Sequence, residues 1–143
     1  MKGIQEYQKR LSRYSRLQIL EVAEIPAPAG ASAAEEEQVM TREGAQILDL
    51  LPSRAFCLAL DRQGKTLDSL GIASLIEEQA CRGCSEFCFI IGGSLGLSSE
   101  IIKRADMVLS FSALTFPHQL MRLFLLEQVY RAFKIRAGET YHK

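Results

Sequence analysis

Two histidines stand in the last 26 residues of this 143-residue sequence, and their ordinary pKa suits proton transfer near neutral pH. His118 follows Pro117 at the start of a long apolar segment, and His142 follows Tyr141 in the tail. Proline is common in the first turn of a helix, so Pro117 predicts a helix start there. The position of His118 fits a structural residue as well as a functional one.

Three cysteines form a second candidate cluster, with Cys81, Cys84 and Cys88 spaced C-x-x-C-x-x-x-C. Thiolates at such spacing can ligate zinc or an iron–sulfur cluster. No fourth cysteine or histidine lies nearby in the sequence, and Cys88 falls in an apolar run where a small buried thiol is common. We therefore predict no metal site, and we keep a redox role for Cys81 and Cys84 as an alternative.

The glycine-rich segment "IIGGSLGLS" (90–98) is the strongest local signal for a ligand site. Its G-G-x-x-G pattern differs from both the Walker A loop and the dinucleotide-binding G-x-G-x-x-G pattern. Glycines after a buried strand allow close backbone approach and positive φ. A tight strand-to-helix turn and a nucleotide loop both fit this spacing.

Helices and strands alternate along the chain. The patterns predict helices over about 2–15, 32–51, 68–82, 98–105 and 117–134, and strands over about 17–24, 55–61, 86–93 and 107–112, with a turn at 62–65. Ser32 and Glu35 form a capping-box pattern at the start of the second helix. The alternation predicts an α/β fold with a mostly parallel sheet flanked by helices. Ligands bind at the carboxyl ends of strands in such sheets, so the three loops that follow the last three strands form the predicted site.

Composition and charge limit the kinds of protein that this sequence can encode. The 48% hydrophobic content predicts one globular domain over residues 1–143, and 17 basic residues balance 17 acidic ones. The basic residues gather toward the two ends, so charge argues for a nucleic-acid partner only if those ends meet in space. With no apolar run near the roughly 18 residues of a membrane span and no signal-like segment, we expect a cytoplasmic protein with no membrane partner.

The last predicted helix is apolar almost all round. One stripe packed on a sheet would use about half of that surface, which indicates either a homodimer interface or a helix buried within the domain. Arg122 and Arg131 are polar exceptions on it, suited to solvent or to a phosphate or base.

Five segments together resemble one known family over essentially the whole chain. They are "REGAQIL" (42–48), "LALDRQGK" (58–65), "FIIGGSLGLS" (89–98), "LSFSALTFPHQLMRLFLLEQVYRAFKI" (109–135) and "GETYHK" (138–143). They are similar to the bacterial 23S ribosomal RNA (pseudouridine-N3)-methyltransferases of the SPOUT class. The resemblance implies a C-terminal trefoil knot, S-adenosylmethionine as cofactor, and a homodimer through the last helix with each site completed by the partner chain. The implied substrate is 23S ribosomal RNA within the large subunit or the whole ribosome.

The resemblance also carries over a set of cofactor-binding positions, which fall in the three loops at the strand ends. These are Leu60, Gly92, Phe111, Ser112, Ala113, Leu114, Thr115 and Phe116. Family members usually begin with a further strand and turn ahead of the first helix, where this sequence begins. We expect a missing strand to expose a sheet edge or to leave a slot in the core, and to affect stability and substrate docking more than the cofactor contacts.

Methylation at N3 requires loss of the N3 proton, so a base with a pKa near neutrality would help. We hypothesise that Tyr141 and His142, with Arg131, form the target-base side of the site. His118 and Arg122 are placed on the RNA side. The alternative function is a non-catalytic nucleotide-binding α/β protein with a degenerate site.

Overall fold

The computed structural model describes residues 2–93, 95–112 and 117–139, with the side chain of His118 left out. These residues form five helices and three strands. In chain order the elements are α1 (Lys2–Leu11), α2 (Ala33–Leu50), β1 (Phe56–Thr66), α3 (Ser69–Cys81), β2 (Phe87–Ile91), α4 (Ser99–Arg104), β3 (Met107–Ser110) and α5 (His118–Arg136).

The backbone divides into two compact units, each described by itself. The sheet unit comprises Leu20–Lys65 and Cys84–Ala113, and it contains the sheet with α2 and α4. The helical unit comprises Met1–Ile19, Thr66–Gly83 and Leu114–Lys143, and it contains α1, α3 and α5.

The sheet has the strand order β2-β1-β3. β1 and β2 run parallel, in a register that joins Cys57 to Cys88 and Leu60 to Ile91. β1 and β3 begin at the same edge, because the Asp106 N–H donates to the Cys57 carbonyl at 2.8 Å and the Cys57 N–H donates to Asp106 Oδ2 at 2.8 Å. The predicted α/β class with parallel pairing is thus confirmed.

One face of the sheet is covered by α2 and α4. Cys57, Ala59 and Ile90 on the strands are buried against Ile101 of α4, with Ile47 of α2 packed alongside. Small side chains let the layers approach closely. The extreme case is Gly44 of α2, where a Cβ atom would overlap the Oγ of Ser98. That hydroxyl in turn accepts a hydrogen bond from the Ile101 N–H and caps α4.

Aromatic rings join the first and last helices of the helical unit. α5 packs against both α1 and α3. Tyr130 of α5 lies edge-on to Tyr7 and to Tyr14, with ring centroids 5.9 Å and 6.1 Å away. Tyr14 also stacks on Phe133 at 5.8 Å. Leu11 and Leu126 are buried in the same cluster, which ties the N-terminal helix to the C-terminal one.

Most of the predicted elements are confirmed, including the capping box in which Ser32 Oγ accepts from the Glu35 N–H at 3.2 Å. Pro117 is the residue before α5 and not its first residue. The strand predicted over 17–24 is wrong. Leu17 and Ile19 pack on the aromatic cluster, whereas Leu20 is 55% exposed, and the segment pairs with no other strand among the described residues.

The turn predicted at 62–65 is also wrong, because β1 continues through it to Thr66. Gly64 lies against the backbone of β3, where a Cβ atom would stand 2.7 Å from the carbonyl carbon of Val108. A glycine in a strand permits such a close approach of two backbones. Within the part of the chain that the structure describes, no helix combines the length and apolar character required to span a membrane.

Candidate functional site

The glycine loop that follows β2 is folded tightly on itself. A Cβ atom at Gly92 would stand 2.8 Å from the carbonyl carbon of Gly96, so only glycine fits there without backbone movement. The Gly96 N–H donates to the Gly93 carbonyl at 3.0 Å, and Gly96 has φ of +95°. Three glycines thus serve a compact strand-to-helix turn with main-chain atoms at its surface.

This loop begins directly after β2, beside β1. Leu60 faces Ile91, the last residue of β2, so Leu60 and Gly92 are neighbours at one edge of the sheet. Leu60 lies inside β1 and not in a loop after it, since β1 extends to Thr66. Both residues are half-buried.

The segment that follows β3 supplies the next predicted positions. Phe111 and Ser112 leave the strand and are half-buried. Ser110 Oγ donates to the Ser112 carbonyl at 3.1 Å, which fixes the direction in which the chain leaves the strand. Four predicted cofactor positions therefore belong to the sheet unit. The other four, Ala113, Leu114, Thr115 and Phe116, lie outside the described residues.

A carboxylate that the sequence did not single out stands beside the glycine loop. Glu43 of α2 is half-buried, and its Oε2 lies 2.7 Å from the position that a Cβ atom would take at Gly93. Among the described residues it has no ion pair or hydrogen bond. The sequence feature that could have indicated it is the neighbouring Gly44. A glycine inside a helix lowers helix stability, so its presence indicates a close contact at that position.

α5 of the helical unit carries Arg131, predicted for the target-base side, and Arg122, predicted for the RNA side. Arg131 is held by Glu127 one turn earlier, with Nη2 2.6 Å and Nε 3.0 Å from Oε1. The two N–H groups grip one carboxylate, which fixes the plane of the guanidinium. Arg122 is half-buried on the same helix. Tyr141, His142 and the side chain of His118 lie outside the described part of the chain.

The apolar surface of α5 is largely used within the helical unit, where Leu125, Leu126 and Tyr130 are buried. Leu120 and Phe124, four residues apart and therefore on one face, remain 37% and 40% exposed. Among the described residues, the large apolar side chains that α5 leaves exposed are therefore limited to these two, in the N-terminal half of the helix.

All four cysteines are free thiols, and Cys57 faces Cys88 across two neighbouring strands. Cys81 is exposed and Cys57 is buried. Burial raises the pKa of the Cys88 thiol to about 11, with a further contribution from the neighbouring Cys57. Cys84 Sγ donates to the Glu86 carbonyl at 3.3 Å. Over residues 2–93, 95–112 and 117–139, no three His, Cys, Asp or Glu side chains are grouped as a metal site would need.

Comparison with known proteins gives a match over nearly the whole chain. The family described as "Predicted SPOUT methyltransferase" matches residues 1–142. Proteins named "Ribosomal RNA large subunit methyltransferase H" are similar to this chain. The one from Carboxydothermus hydrogenoformans is 55% identical over 141 residues, covering 99% of this chain and 89% of that protein.

Two further relatives with the same name agree with it. The protein from Clostridioides difficile is 50% identical over 141 residues, covering 99% of this chain and 89% of the relative. The protein from Desulfitobacterium hafniense is 52% identical over 143 residues, covering 100% of this chain and 89% of the relative.

Proposed function

This chain belongs to the SPOUT methyltransferase family, and we propose that it transfers a methyl group to N3 of a pseudouridine in 23S ribosomal RNA. The observation that carries the proposal is the match to named large-subunit ribosomal RNA methyltransferases, at 50% to 55% identity over 99% or more of the chain. The substrate would be this RNA within the large subunit or the assembled ribosome. The enzyme would therefore act in the cytoplasm, where ribosomes are found.

S-adenosylmethionine is the proposed cofactor, and it would supply the methyl group from its sulfonium. The residues of the sheet unit fit such a group. Gly92 has no room for a side chain, so the loop can offer main-chain N–H and C=O groups to a ligand at close range. Leu60, Phe111 and Ser112 are half-buried beside strand ends, which suits partial enclosure. We extend the same role to Ala113, Leu114, Thr115 and Phe116.

The chemistry asked of the protein is alignment and removal of one proton. Methyl transfer is an in-line displacement that depends on holding the acceptor nitrogen opposite the sulfonium. The N3 proton must leave before or during that attack, and a histidine is suited to accept it. We propose His142 as that base, with Tyr141 and Arg131 beside it on the target-base side.

Arg131 would act as a fixed cation. Its guanidinium is already oriented by Glu127 at 2.6 Å, so little side-chain freedom is lost when it meets a phosphate or a base. Arg122 and His118 are proposed as further RNA-side residues on α5. A single SPOUT domain with a C-terminal trefoil knot is the fold expected to hold this arrangement.

A homodimer through α5 is the proposed assembly, with each site completed by the partner chain. The exposed pair Leu120 and Phe124 supports it, because two large apolar side chains on one helix face are candidates for an interface. A monomeric mass in solution by light scattering would refute this part of the proposal.

The deciding experiment measures two quantities on the same preparation. Calorimetry gives S-adenosylmethionine affinity, and transfer of a tritiated methyl group to ribosomes from cells that lack the enzyme gives activity. His142→Ala should keep cofactor affinity and lose transfer by about 100-fold or more, as expected for a general base. Lys143→Ala is the neighbouring control and should keep both.

Three other results would contradict parts of the proposed function. Full transfer by His142→Ala would remove that residue from the mechanism. Cofactor binding by the wild type with no transfer to any ribosomal particle would refute the proposed function and favour a non-catalytic nucleotide-binding protein. Equal transfer to protein-free ribosomal RNA and to ribosomes would contradict the preference for an assembled substrate.

A further inference from the structure

The two basic ends of the sequence meet in the helical unit. α1 packs against α5, and the rings of Tyr7 and Tyr14 contact the ring of Tyr130 between them. Lys134 of α5 lies over the same rings, with its Nζ 5.6 Å from the centroid of Tyr130. Charges that are far apart in the sequence therefore form one surface, although the net charge of the chain is zero.

Acidic neighbours neutralise only some of these cations. Arg10 pairs with Glu6 at 3.0 Å, and Lys134 pairs with Glu139 at 2.7 Å. The charge of Glu139 also acts on Arg13, without a salt bridge between them. A second group of cations is exposed and forms no salt bridge among the described residues. Its members are Lys2, Lys9, Arg13 and Arg16.

Helix geometry explains why the unpaired group faces outward. Ile4 and Leu11 are buried in the aromatic cluster and set the inner face of α1. Lys2 and Lys9 are likewise seven residues apart but fall on the opposite face, spaced about 10 Å along the helix. The basic line then continues into the segment after the helix.

That segment lines an open, shallow depression. Arg13 lies over the Tyr14 ring at 5.7 Å, which restrains the guanidinium before any ligand arrives. The depression has a volume of about 560 Å³, and Ser12, Arg13, Ser15 and Arg16 are among its lining residues. Arginine forks and serine hydroxyls are the groups that proteins most often direct at phosphate oxygens.

We propose that this basic surface, formed by Lys2, Lys9, Arg13 and Arg16, docks the phosphate backbone of ribosomal RNA. The inference rests on the proposed function, since that function makes RNA the substrate. It adds a sequence-independent contact made by residues other than those predicted for the cofactor and the target base. Phosphate contacts position a protein on RNA and make its affinity depend on salt.

The test compares two triple variants that remove the same charge. The surface variant is Lys9→Gln, Arg13→Gln and Arg16→Gln. The control is Arg42→Gln, Arg54→Gln and Lys103→Gln. These side chains are also exposed and form no salt bridge among the described residues, but they belong to the sheet unit. Affinity for large ribosomal subunits and for protein-free 23S ribosomal RNA is measured over a series of salt concentrations.

The surface variant should bind both RNA targets about tenfold or more weakly at low salt, and its salt slope should fall by about 2, near 0.7 for each lost phosphate contact. The control should stay within about twofold of the wild type by the same reasoning. Equal losses in the two variants, or no loss in either, would overturn the proposal.

A loss on ribosomal subunits without a loss on protein-free RNA would assign the surface to a ribosomal protein and would also overturn it. Methyl transfer by the wild type is followed in the same preparations. Its absence would refute the proposed function, while the binding comparison would still decide whether this surface contacts RNA.

Discussion

The sheet unit and the helical unit differ in the contacts that stabilise each of them internally. In the sheet unit, close contacts run through positions with little or no side chain. Gly44, Gly64 and Gly92 each lie where a Cβ atom would meet another atom at less than 3 Å. In the helical unit, the contacts run through large rings, above all Tyr130 with Tyr7 and Tyr14.

This contrast matters for function because the two units are proposed to offer different surfaces. Tight glycine turns leave main-chain groups accessible, which suits a compact cofactor at strand ends. Rings with cations over them present charge at fixed positions, which suits an extended polyanion. The comparison predicts that adding an atom at a close glycine contact distorts the sheet unit. It predicts that removing a buried ring lowers the stability of the helical unit.

Tyr130→Ala is expected to give the largest loss. The ring is buried between Tyr7, Tyr14 and Lys134, so its removal leaves a cavity and should lower the free energy of unfolding by about 3 kcal/mol. Leu70→Ala, at a side chain that is 52% exposed in the same unit, is the control and should cost less than about 1 kcal/mol. Denaturant unfolding measures both, and similar losses would break the comparison.

Gly92→Ala tests the sheet unit by adding a single carbon atom. The new methyl group would stand 2.8 Å from the Gly96 carbonyl carbon, and backbone cannot give way as a side-chain tip can. The distorted loop should bind S-adenosylmethionine about tenfold more weakly or worse, measured by calorimetry. Gly30→Ala also adds a methyl group, at φ of +70° with nothing within 4 Å, and should leave that affinity unchanged.

If both glycine variants bound the cofactor like the wild type, the glycine loop would have no part in the cofactor site. If both lost affinity, general destabilisation and not the local contact at Gly92 would be the cause. Either result would remove the proposed link between close backbone contacts and cofactor binding.

Local signals in the sequence were enough for most helix boundaries. Ser32 with Glu35, and Ser98 ahead of α4, act through hydrogen bonds that span three residues, so the sequence shows both partners together. The glycine segment after β2 was found in the same way, since a strand followed by glycines is a local pattern. The class of fold followed from the order of these elements.

Contacts between distant segments could not be predicted in this way. Glu43 meets Gly93 across 50 positions, and Tyr14 donates to Glu139 across 125. β1 passes through the predicted turn because Gly64 lies against β3, a partner that periodicity does not reveal. The segment 17–24 has a strand-like pattern, yet a strand forms only when another strand edge is available to it.

The smallest predicted effect concerns Glu139, which joins the end of α5 to the turn after α1. Its pKa lies below the ordinary value of 4.5, chiefly because Lys134 donates to it and secondly because Tyr14 does. A carboxylate with a lowered folded-state pKa contributes stability above its unfolded-state pKa and loses it as the pH falls through the folded value. Glu139→Gln should therefore lower the unfolding temperature at pH 7 and converge with the wild type at acid pH.

Tyr14→Phe removes only the second donor, at 2.7 Å, and should reproduce part of that pH dependence. The ring of Tyr14 and its stacking on Phe133 stay in place in this variant. The variant therefore measures the hydrogen bond to Glu139 without changing the packing of the ring. Identical acid profiles for the wild type and Glu139→Gln would show that the ion pair with Lys134 adds nothing to folding. The aromatic cluster would then join α1 to α5 without help from this ion pair.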